Sequence, residues 1–263
     1  MTDNNRNPVL LRDVENGICT LTLNRPNKRN ALSSKLLGEL QSAFNKIASD
    51  KSIKVIILAA NGPIFSSGHD LKELRENSDY STMHDLFSQC SEVMISMKKQ
   101  PQPIIAKVHG SAVAAGCQLV CNCDLAIATK TAKFALPGSS IGLFCSSPAV
   151  AVGRLAGPKH TMEMLLMGEP FNADDAYRFG LINKIVAKEE LEKTIITYAT
   201  KIARHSNMTI SLGKDAFYKQ INMDLKNAYA FTTEVMARNM QEYDAHEGID
   251  AFLEKRRPNW RGR

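Results

Sequence analysis

The chain has 263 residues, of which 44% are apolar, 23% charged and 6% aromatic, enough to build one full-sized hydrophobic core. This composition excludes disordered, collagen-like and disulfide-scaffold proteins. Lysine and arginine number 33 against 27 acidic residues, and the two signs are interspersed. A formal charge of +6 in that arrangement favours a modest anionic ligand over nucleic acid.

Several further features narrow the class of protein. No apolar run approaches the roughly 18 residues of a membrane span, so we expect no membrane partner. The opening MTDNNRNPVL has neither a secretory signal nor an Arg-rich amphipathic helix. We therefore expect a cytoplasmic protein, or a mitochondrial-matrix one if this is a processed eukaryotic chain. The cysteines and histidines lack CxxC and HExxH spacings, which predicts no metal and buried thiols at Cys121 and Cys123.

The first half of the chain alternates strand-length apolar runs with amphipathic helical patterns. Residues 9–13 and 18–24 are predicted strands joined through Asn16-Gly17, a pair typical of hairpin turns. Residues 33–48 carry apolar side chains at helical spacing, after a serine that can cap the first turn. Further strands are predicted at 55–60, 104–108 and 124–128, and a further helix at 83–97. This order predicts an α/β fold with a largely parallel sheet and binding loops at the carboxyl ends of its strands.

Beyond a stretch rich in glycine, serine and proline at 137–148, the pattern is almost entirely helical. Asn172 and Asp175 suit an N-cap pair for one of these helices, and the basic end of the chain is expected to fray beyond Trp260. The predicted helices are 147–156, 159–167, 173–179, 189–205, 209–221, 225–241 and 247–255. We expect a core over residues 1–200 and a C-terminal helical region over 201–263.

Two loops place small residues directly after a buried strand. Residues 65–70, FSSGHD, follow the strand at 55–60, and residues 110–118, GSAVAAGCQ, follow the strand at 104–108 and lead into a short helix. Small residues let a ligand approach the backbone closely, and a helix N-terminus favours negative charge. Converging backbone donors of this kind can form an oxyanion hole, although small residues after strands are more often tight turns.

Four strings in this order resemble the crotonase superfamily of enoyl-CoA hydratases and isomerases. They are NRPNKRNAL at 24–32, FSSGHDLKEL at 65–74, VHGSAVAAGCQLVCNCDLAIA at 108–128 and EGIDAFLEKRRPNW at 247–260. The resemblance implies a spiral ββα core that holds an acyl-CoA site within residues 1–200, and a helical C-terminal trimerisation region. It also implies an enzyme whose coenzyme A is part of the substrate, with no separate cofactor, and an assembly that is a homotrimer or a dimer of trimers.

By this resemblance, the backbone N–H groups of His69 and Ala115 form the oxyanion hole. Relatives often have glycine where this chain has Ala114 and Ala115, and alanine leaves the approach open if its backbone dihedrals are ordinary. For the His69 imidazole itself we expect a pocket-wall or solvent-facing position ahead of a chemical role. The resemblance also implies a coenzyme A site, led by Lys72 and Lys255, whose full set is Lys28, Arg29, Ser67, Asp70, Lys72, Phe252 and Lys255.

The sequence departs from the resemblance at the two glutamates that hydratases use. The aligned positions are Gln118 and Gly138, and neither can exchange a proton near neutral pH. Isomerase and synthase branches have a carboxylate near Cys145, and a decarboxylase branch has a tyrosine there. Cys145 has no neighbouring cation in the sequence to lower its pKa, so we expect a packed thiol.

Three functions remain open on these grounds. The first is an acyl-CoA enzyme that stabilises a thioester enolate, and the second is decarboxylation of a malonyl-type thioester, which needs no strong base. The third is acyl-CoA binding without chemistry. Other polar residues near the loops have structural interpretations: His109 as a hydrogen-bonded histidine, and Asp70 and Glu73 as partners of Lys72 and Arg75 or as helix caps.

Overall fold

The structure, a computed structural model, describes residues 8–76 and 78–263. Part of the segment used for the targeting expectation, residues 1–7, lies outside them. The described strands are β1 (Leu10–Glu15), β2 (Ile18–Leu23), β3 (Val55–Ala60), β4 (Ile104–Val108), β5 (Ala112–Val113), β6 (Leu125–Thr129), β7 (Lys133–Ala135), β8 (Phe171–Asn172) and β9 (Lys184–Val186). The described helices are α1 (Ser34–Ala48), α2 (Leu71–Glu76), α3 (Tyr80–Lys99), α4 (Ala115–Asn122), α5 (Ser146–Met167), α6 (Ala173–Arg178), α7 (Leu191–Ala203), α8 (Asn207–Gln220), α9 (Leu225–Asn239) and α10 (Tyr243–Leu253).

The main sheet has the order β1-β2-β3-β4-β6-β9. Only the β1–β2 hairpin is antiparallel, and the other pairings are parallel. Every residue of β3 is buried, as a parallel strand covered on both faces requires. The prediction of an α/β fold with a largely parallel sheet is confirmed, and the carboxyl ends of β3 and β4 point their loops to the same edge.

A second, smaller sheet joins β5, β7 and β8, and the sequence reading missed it. Strands of two or three residues are too short to show a period-two pattern, so nothing in their composition marks them. The chain beyond residue 148 is almost entirely helical, as predicted, but the prediction did not include the short strands β8 and β9 that lie there.

Amphipathic helices cover both faces of the main sheet. Ser33 accepts a hydrogen bond from the Leu36 N–H and caps α1, which buries Leu36, Leu37, Leu40, Phe44 and Ile47. Each such side chain contributes about 1.5–3 kcal/mol by leaving water. On the other face, α7 covers β3, β4 and β6 through a separate apolar cluster. The predicted boundary at residue 200 falls within α7 and stays a prediction.

The end of the chain is anchored rather than frayed, contrary to expectation. The buried carboxylate of Asp244 accepts hydrogen bonds from the N–H groups of Arg261 and Gly262 and from the Ser206 hydroxyl. The Trp260 indole donates to the Arg204 carbonyl at 2.7 Å. Within the described residues, no helix is long and apolar enough to cross a membrane.

Candidate functional site

The two loops predicted from small residues lie against each other. Ser66 pairs with Ala112 as an isolated parallel bridge, and the Val113 N–H donates to the Ser66 carbonyl at 2.9 Å. Gly68 has φ of +87°, and a β-carbon there would lie 2.9 Å from the Ala114 Cβ and 3.2 Å from the Ala115 nitrogen. The loop after β3 therefore passes directly over the start of α4.

In the loop after β3, most backbone N–H groups are already used. Ser67 donates to the Arg29 carbonyl, Gly68 to the Ser66 hydroxyl and Asp70 to the Leu32 carbonyl. The N–H of His69 has no hydrogen-bond partner among the described residues. One donor of this loop is therefore available to a ligand.

At the start of α4 the pattern is similar. The Ala114 N–H donates to the Ala135 carbonyl, and the Ala114 carbonyl accepts from Gln118 as the helix begins. Ala115 is the first helical residue, so its N–H has no intrahelical acceptor, and no other described group accepts it. The free donors of Ala115 and His69 thus lie on abutting loops, and the helix dipole adds partial positive charge at Ala115.

Ala114 does not have ordinary dihedral angles, the condition under which alanine is expected to leave the approach open. Its φ is 49° and its ψ is −119°, in a region that glycine adopts freely and alanine rarely does. Such a conformation costs about 1–3 kcal/mol and is typical of functional sites. The strain lies immediately before the candidate donor at Ala115.

The His69 side chain is half-buried rather than solvent-facing. Its ring meets the Phe87 ring of α3 edge-to-face, with centroids 5.3 Å apart. Burial lowers the pKa of His69 from 6.5 to about 4, so the ring is neutral near pH 7. Its Nε2 atom is buried and has no hydrogen-bond partner among the described residues.

Gln118, one of the two positions that differ from hydratases, has a similar unmatched atom. The side chain is 4% exposed, and the buried Oε1 has no partner within the described part of the chain. Gln118 lies one helical turn beyond Ala115 on α4. Native proteins rarely leave buried polar atoms unpaired, so such atoms call for an explanation.

Gly138, the second such position, is closed by its own loop. A β-carbon on Gly138 would overlap the Leu143 carbonyl oxygen and lie 2.8 Å from the Cys145 Sγ. The Leu143 N–H also donates to the Gly138 carbonyl. Position 138 cannot carry a side chain unless this loop moves. The thiol of Cys145 is buried, and burial raises its pKa, which confirms the predicted packed thiol.

The nearest carboxylates in sequence have structural partners, and each accepts from a backbone N–H in the first turn of a helix, which confirms the predicted capping role. Asp70 forms an ion pair with Arg25 at 3.0 Å, and Glu73 accepts from the Ser34 N–H at the start of α1. Asp70 also accepts a hydrogen bond from the Lys72 backbone N–H at 3.3 Å, in the first turn of α2, and Glu73 makes no ion pair with Arg75 among the described residues. The sequence reading missed Arg25, which also donates to the carbonyl of Ala31, because its partners lie far away in the chain.

The predicted coenzyme A residues fall into two groups. Lys28 and Arg29 lie in the turn after β2, Ser67 in the loop after β3 and Lys72 in the first turn of α2, and the three cationic side chains make no ion pair with another described residue. Phe252 and Lys255 lie at the end of α10, both exposed, and neither side chain makes a hydrogen bond, ion pair or ring contact with another described residue. No hydrogen bond or ion pair joins the second group to the first among the described residues.

Two further predictions concern groups outside the catalytic positions. The His109 ring is hydrogen-bonded to the Gly62 carbonyl at 2.8 Å, which confirms its structural interpretation. Cys121 and Cys123 are buried thiols, as predicted. Phe87 was not singled out from the sequence, because an aromatic residue on a helical face is usually part of the core.

The largely parallel sheet and the two abutting loops with free N–H donors are the features expected from the resemblance to the crotonase superfamily. A family model described as enoyl-CoA hydratase/isomerase matches residues 13–263. The chain therefore belongs to the enoyl-CoA hydratase/isomerase family and has its crotonase fold.

Several relatives indicate which branch of the family this chain resembles. The strings SSGHDLKEL, AAGCQLV and GLFCS indicate the same branch, that of enoyl-CoA hydratase domain-containing protein 3. Mitochondrial enoyl-CoA hydratase domain-containing protein 3 of Rattus norvegicus is 48% identical over 94% of this chain and 82% of that protein. A crystal structure of the human protein of the same name superimposes with a TM-score of 0.94, at 45% identity, over 96% of this chain and 100% of that chain. A crystal structure of an enoyl-CoA hydratase from Mycobacterium smegmatis superimposes with a TM-score of 0.95, at 47% identity, over 97% of this chain and 99% of that chain.

Proposed function

We propose that this acyl-CoA enzyme polarises the thioester carbonyl with the N–H groups of His69 and Ala115 and stabilises the enolate that forms. The observation that carries the proposal is that both donors lack a partner and lie on abutting loops. Donors fixed before the reaction stabilise developing charge at no reorganisation cost, an effect of about 3–4 kcal/mol per donor.

The coenzyme A phosphates fit the cationic rim of the loops. Lys28, Arg29 and Lys72 are exposed and have no carboxylate partner among the described residues, so their charges are available to an anion. Asp70 serves this surface indirectly, because its ion pair holds Arg25 beneath the loop.

Hydration by a glutamate pair is disfavoured by the same geometry. Gln118 has no ionisable group, and Gly138 has no room for a side chain. Loss of a general acid–base group typically reduces the rate by about 10²–10⁴-fold.

Decarboxylation of a malonyl-type thioester is the second candidate, and the lack of a carboxylate at both positions favours it. In that reaction the bond between the α-carbon and the carboxylate breaks, carbon dioxide leaves, and the electron pair forms the thioester enolate. The enolate then takes a proton from water. No protein base is needed, whereas the two amides remain essential.

The experiment offers the purified protein crotonyl-CoA and methylmalonyl-CoA. Rapid hydration of crotonyl-CoA would contradict the account of Gln118 and Gly138, and release of carbon dioxide from methylmalonyl-CoA would support the second candidate. Tight binding without turnover would leave acyl-CoA binding alone as the function.

We also propose assembly as a homotrimer or a dimer of trimers. The C-terminal helices expose large apolar side chains, each at least 69% accessible, which favours burial against another copy. These side chains are Leu225, Tyr229, Met236, Phe252 and Leu253. In such an assembly Phe252 and Lys255 would reach a neighbouring coenzyme A site. Light scattering should give three or six chain masses.

A further inference from the structure

A second cluster of charged groups lies at the edge of the sheet where β4 and β6 begin, opposite the edge that carries the two loops. Asp124 accepts hydrogen bonds there from the Lys214 ammonium at 2.7 Å and from the Tyr218 hydroxyl at 2.8 Å. Lys98, near the end of α3, donates to the same Tyr218 hydroxyl at 3.2 Å. The cluster therefore joins two cationic side chains to one carboxylate.

The two lysines of this cluster differ in how accessible they are. The Lys214 side chain is 8% exposed, and its ammonium donates to two backbone carbonyls as well as to Asp124. Lys98 is only half-buried and forms no ion pair with a described carboxylate. Its Nζ atom lies 4.5 Å from the centroid of the Tyr218 ring. Of the two amines, Lys98 is thus the one that a reagent in solution can reach.

The surroundings of Lys98 also change its protonation. Burial lowers the pKa of Lys98, the Asp124 carboxylate opposes that effect, and the Lys214 ammonium reinforces it. The nearby thiols of Cys121 and Cys123 are buried and protonated near pH 7, so they add no charge. Near neutral pH, Lys98 therefore holds a larger fraction of free amine than an ordinary lysine does.

We propose that Lys98 is a site of covalent acylation by acyl-CoA thioesters from solution. A lysine that is desolvated or lies beside another cation is an effective nucleophile near neutral pH. The lone pair of Nζ attacks the thioester carbonyl carbon, an amide bond forms, and the carbon–sulfur bond breaks. Coenzyme A leaves with the electron pair of that bond and takes up the proton that the amine releases. The product is uncharged, so the Asp124 carboxylate then faces the Lys214 ammonium alone.

The test incubates the purified protein with acetyl-CoA at about pH 7.5 and follows acetylation of Lys98 and Lys99 by mass spectrometry of peptides, cut by a protease that does not cleave at lysine. Lys99 is the matched reference, because it is the next residue and is exposed. We expect Lys98 to react at least about threefold faster than Lys99. As the pH rises towards the ordinary lysine pKa of about 10.4, Lys99 also loses its proton, so this rate ratio should fall towards one.

Two controls separate reactivity that the cluster confers from accessibility. In guanidinium chloride the cluster is lost, so the two lysines should react at equal rates. Lys214→Met removes the like charge beside Lys98 and should lower the rate ratio at neutral pH. Lys219→Met removes an exposed lysine of α8 that pairs with Asp215, and it should leave the ratio at the wild-type value. Thermal unfolding checks that both variants are folded at the assay temperature.

Three results would overturn the proposal. Equal rates for Lys98 and Lys99 in the folded wild type would do so. A rate ratio that does not change with pH would show that access alone sets the reactivity, and an unchanged ratio in folded Lys214→Met would remove the cluster as its cause. The proposed function is tested separately, because the His69 and Ala115 amides play no part in this reaction.

Discussion

At the scale of single residues, the strained backbone of Ala114 gives a direct prediction. Ala114→Gly should raise the free energy of unfolding by about 1 kcal/mol, because relief of the strain exceeds the added flexibility of the unfolded chain. Urea denaturation measures this difference. The matched control is Ala112→Gly in β5, where φ is not positive, and it should lower stability. A loss of stability in Ala114→Gly would show that position 114 carries no strain.

The neutral imidazole of His69 predicts how stability depends on pH. Burial lowers the pKa of His69 in the folded state to about 4. Between pH 6.5 and pH 4, His69 is therefore protonated in the unfolded chain but neutral in the folded protein. The contribution of His69 to the free energy of unfolding is therefore fully present above pH 6.5 and is lost progressively as the pH falls towards 4. Between pH 7 and pH 5 the contribution of His69 should fall by about 2 kcal/mol.

The measurement is the difference in unfolding free energy between these two pH values. In His69→Leu, this difference should be about 2 kcal/mol smaller than in the wild type, whereas in His205→Leu, a control at an exposed histidine, it should equal the wild-type value. An unchanged slope in His69→Leu would mean that the ring titrates normally.

At the scale of elements, a buried charge network joins α8 to the sheet. Lys214 lies 2.7 Å from the Asp124 carboxylate, which also accepts from the Tyr218 hydroxyl and the Ile104 N–H. Burial lowers the pKa of Lys214, and the carboxylate opposes that effect. Asp124→Ala should cost about 3–5 kcal/mol, because it leaves a buried ammonium unpaired.

A double variant separates the pair from its surroundings. Adding Lys214→Met to Asp124→Ala should recover part of the loss, since the Lys214 ammonium is then removed, whereas the Lys98 ammonium, which Asp124 also stabilises, remains. Thermal unfolding of the wild type, the two single variants and the double variant gives a double-mutant cycle, from which the interaction free energy of the two residues follows. Additive losses would mean that the two charges do not interact.

The elements also show what the sequence could and could not predict. The strands at 55–60 and 104–108 were predicted to the residue, because continuous apolar runs end at polar or small residues. The small sheet was missed since its strands are too short for a pattern. The loops of the candidate site were found from their small residues, whereas the Phe87 contact of His69 joins residues on separate elements, and the Leu143 carbonyl lies over Gly138 through a local loop conformation that composition does not reveal.

At the scale of the whole molecule, the site depends on how distant segments meet. The main sheet brings the loops after β3 and β4 to one edge, and the bridge between Ser66 and Ala112 fixes them there. The resemblance found from four strings implied this meeting, and the family and fold are confirmed. Phe252 lies on α10 and Lys255 just beyond it, and their role at a coenzyme A site stays a prediction.

The central claim is that the thioester carbonyl is held by the His69 and Ala115 amides, and difference infrared spectroscopy of bound butyryl-CoA tests it most directly. Proline fits the first position of a helix but has no N–H, so Ala115→Pro removes one donor, and because proline also restricts the backbone of Ala114, circular dichroism and thermal unfolding check that the fold is kept. Ala115→Gly keeps the donor as a control. The account predicts a carbonyl band at lower frequency in the wild type and in Ala115→Gly, and a smaller shift in Ala115→Pro. A band at its solution frequency in the wild-type complex would contradict it.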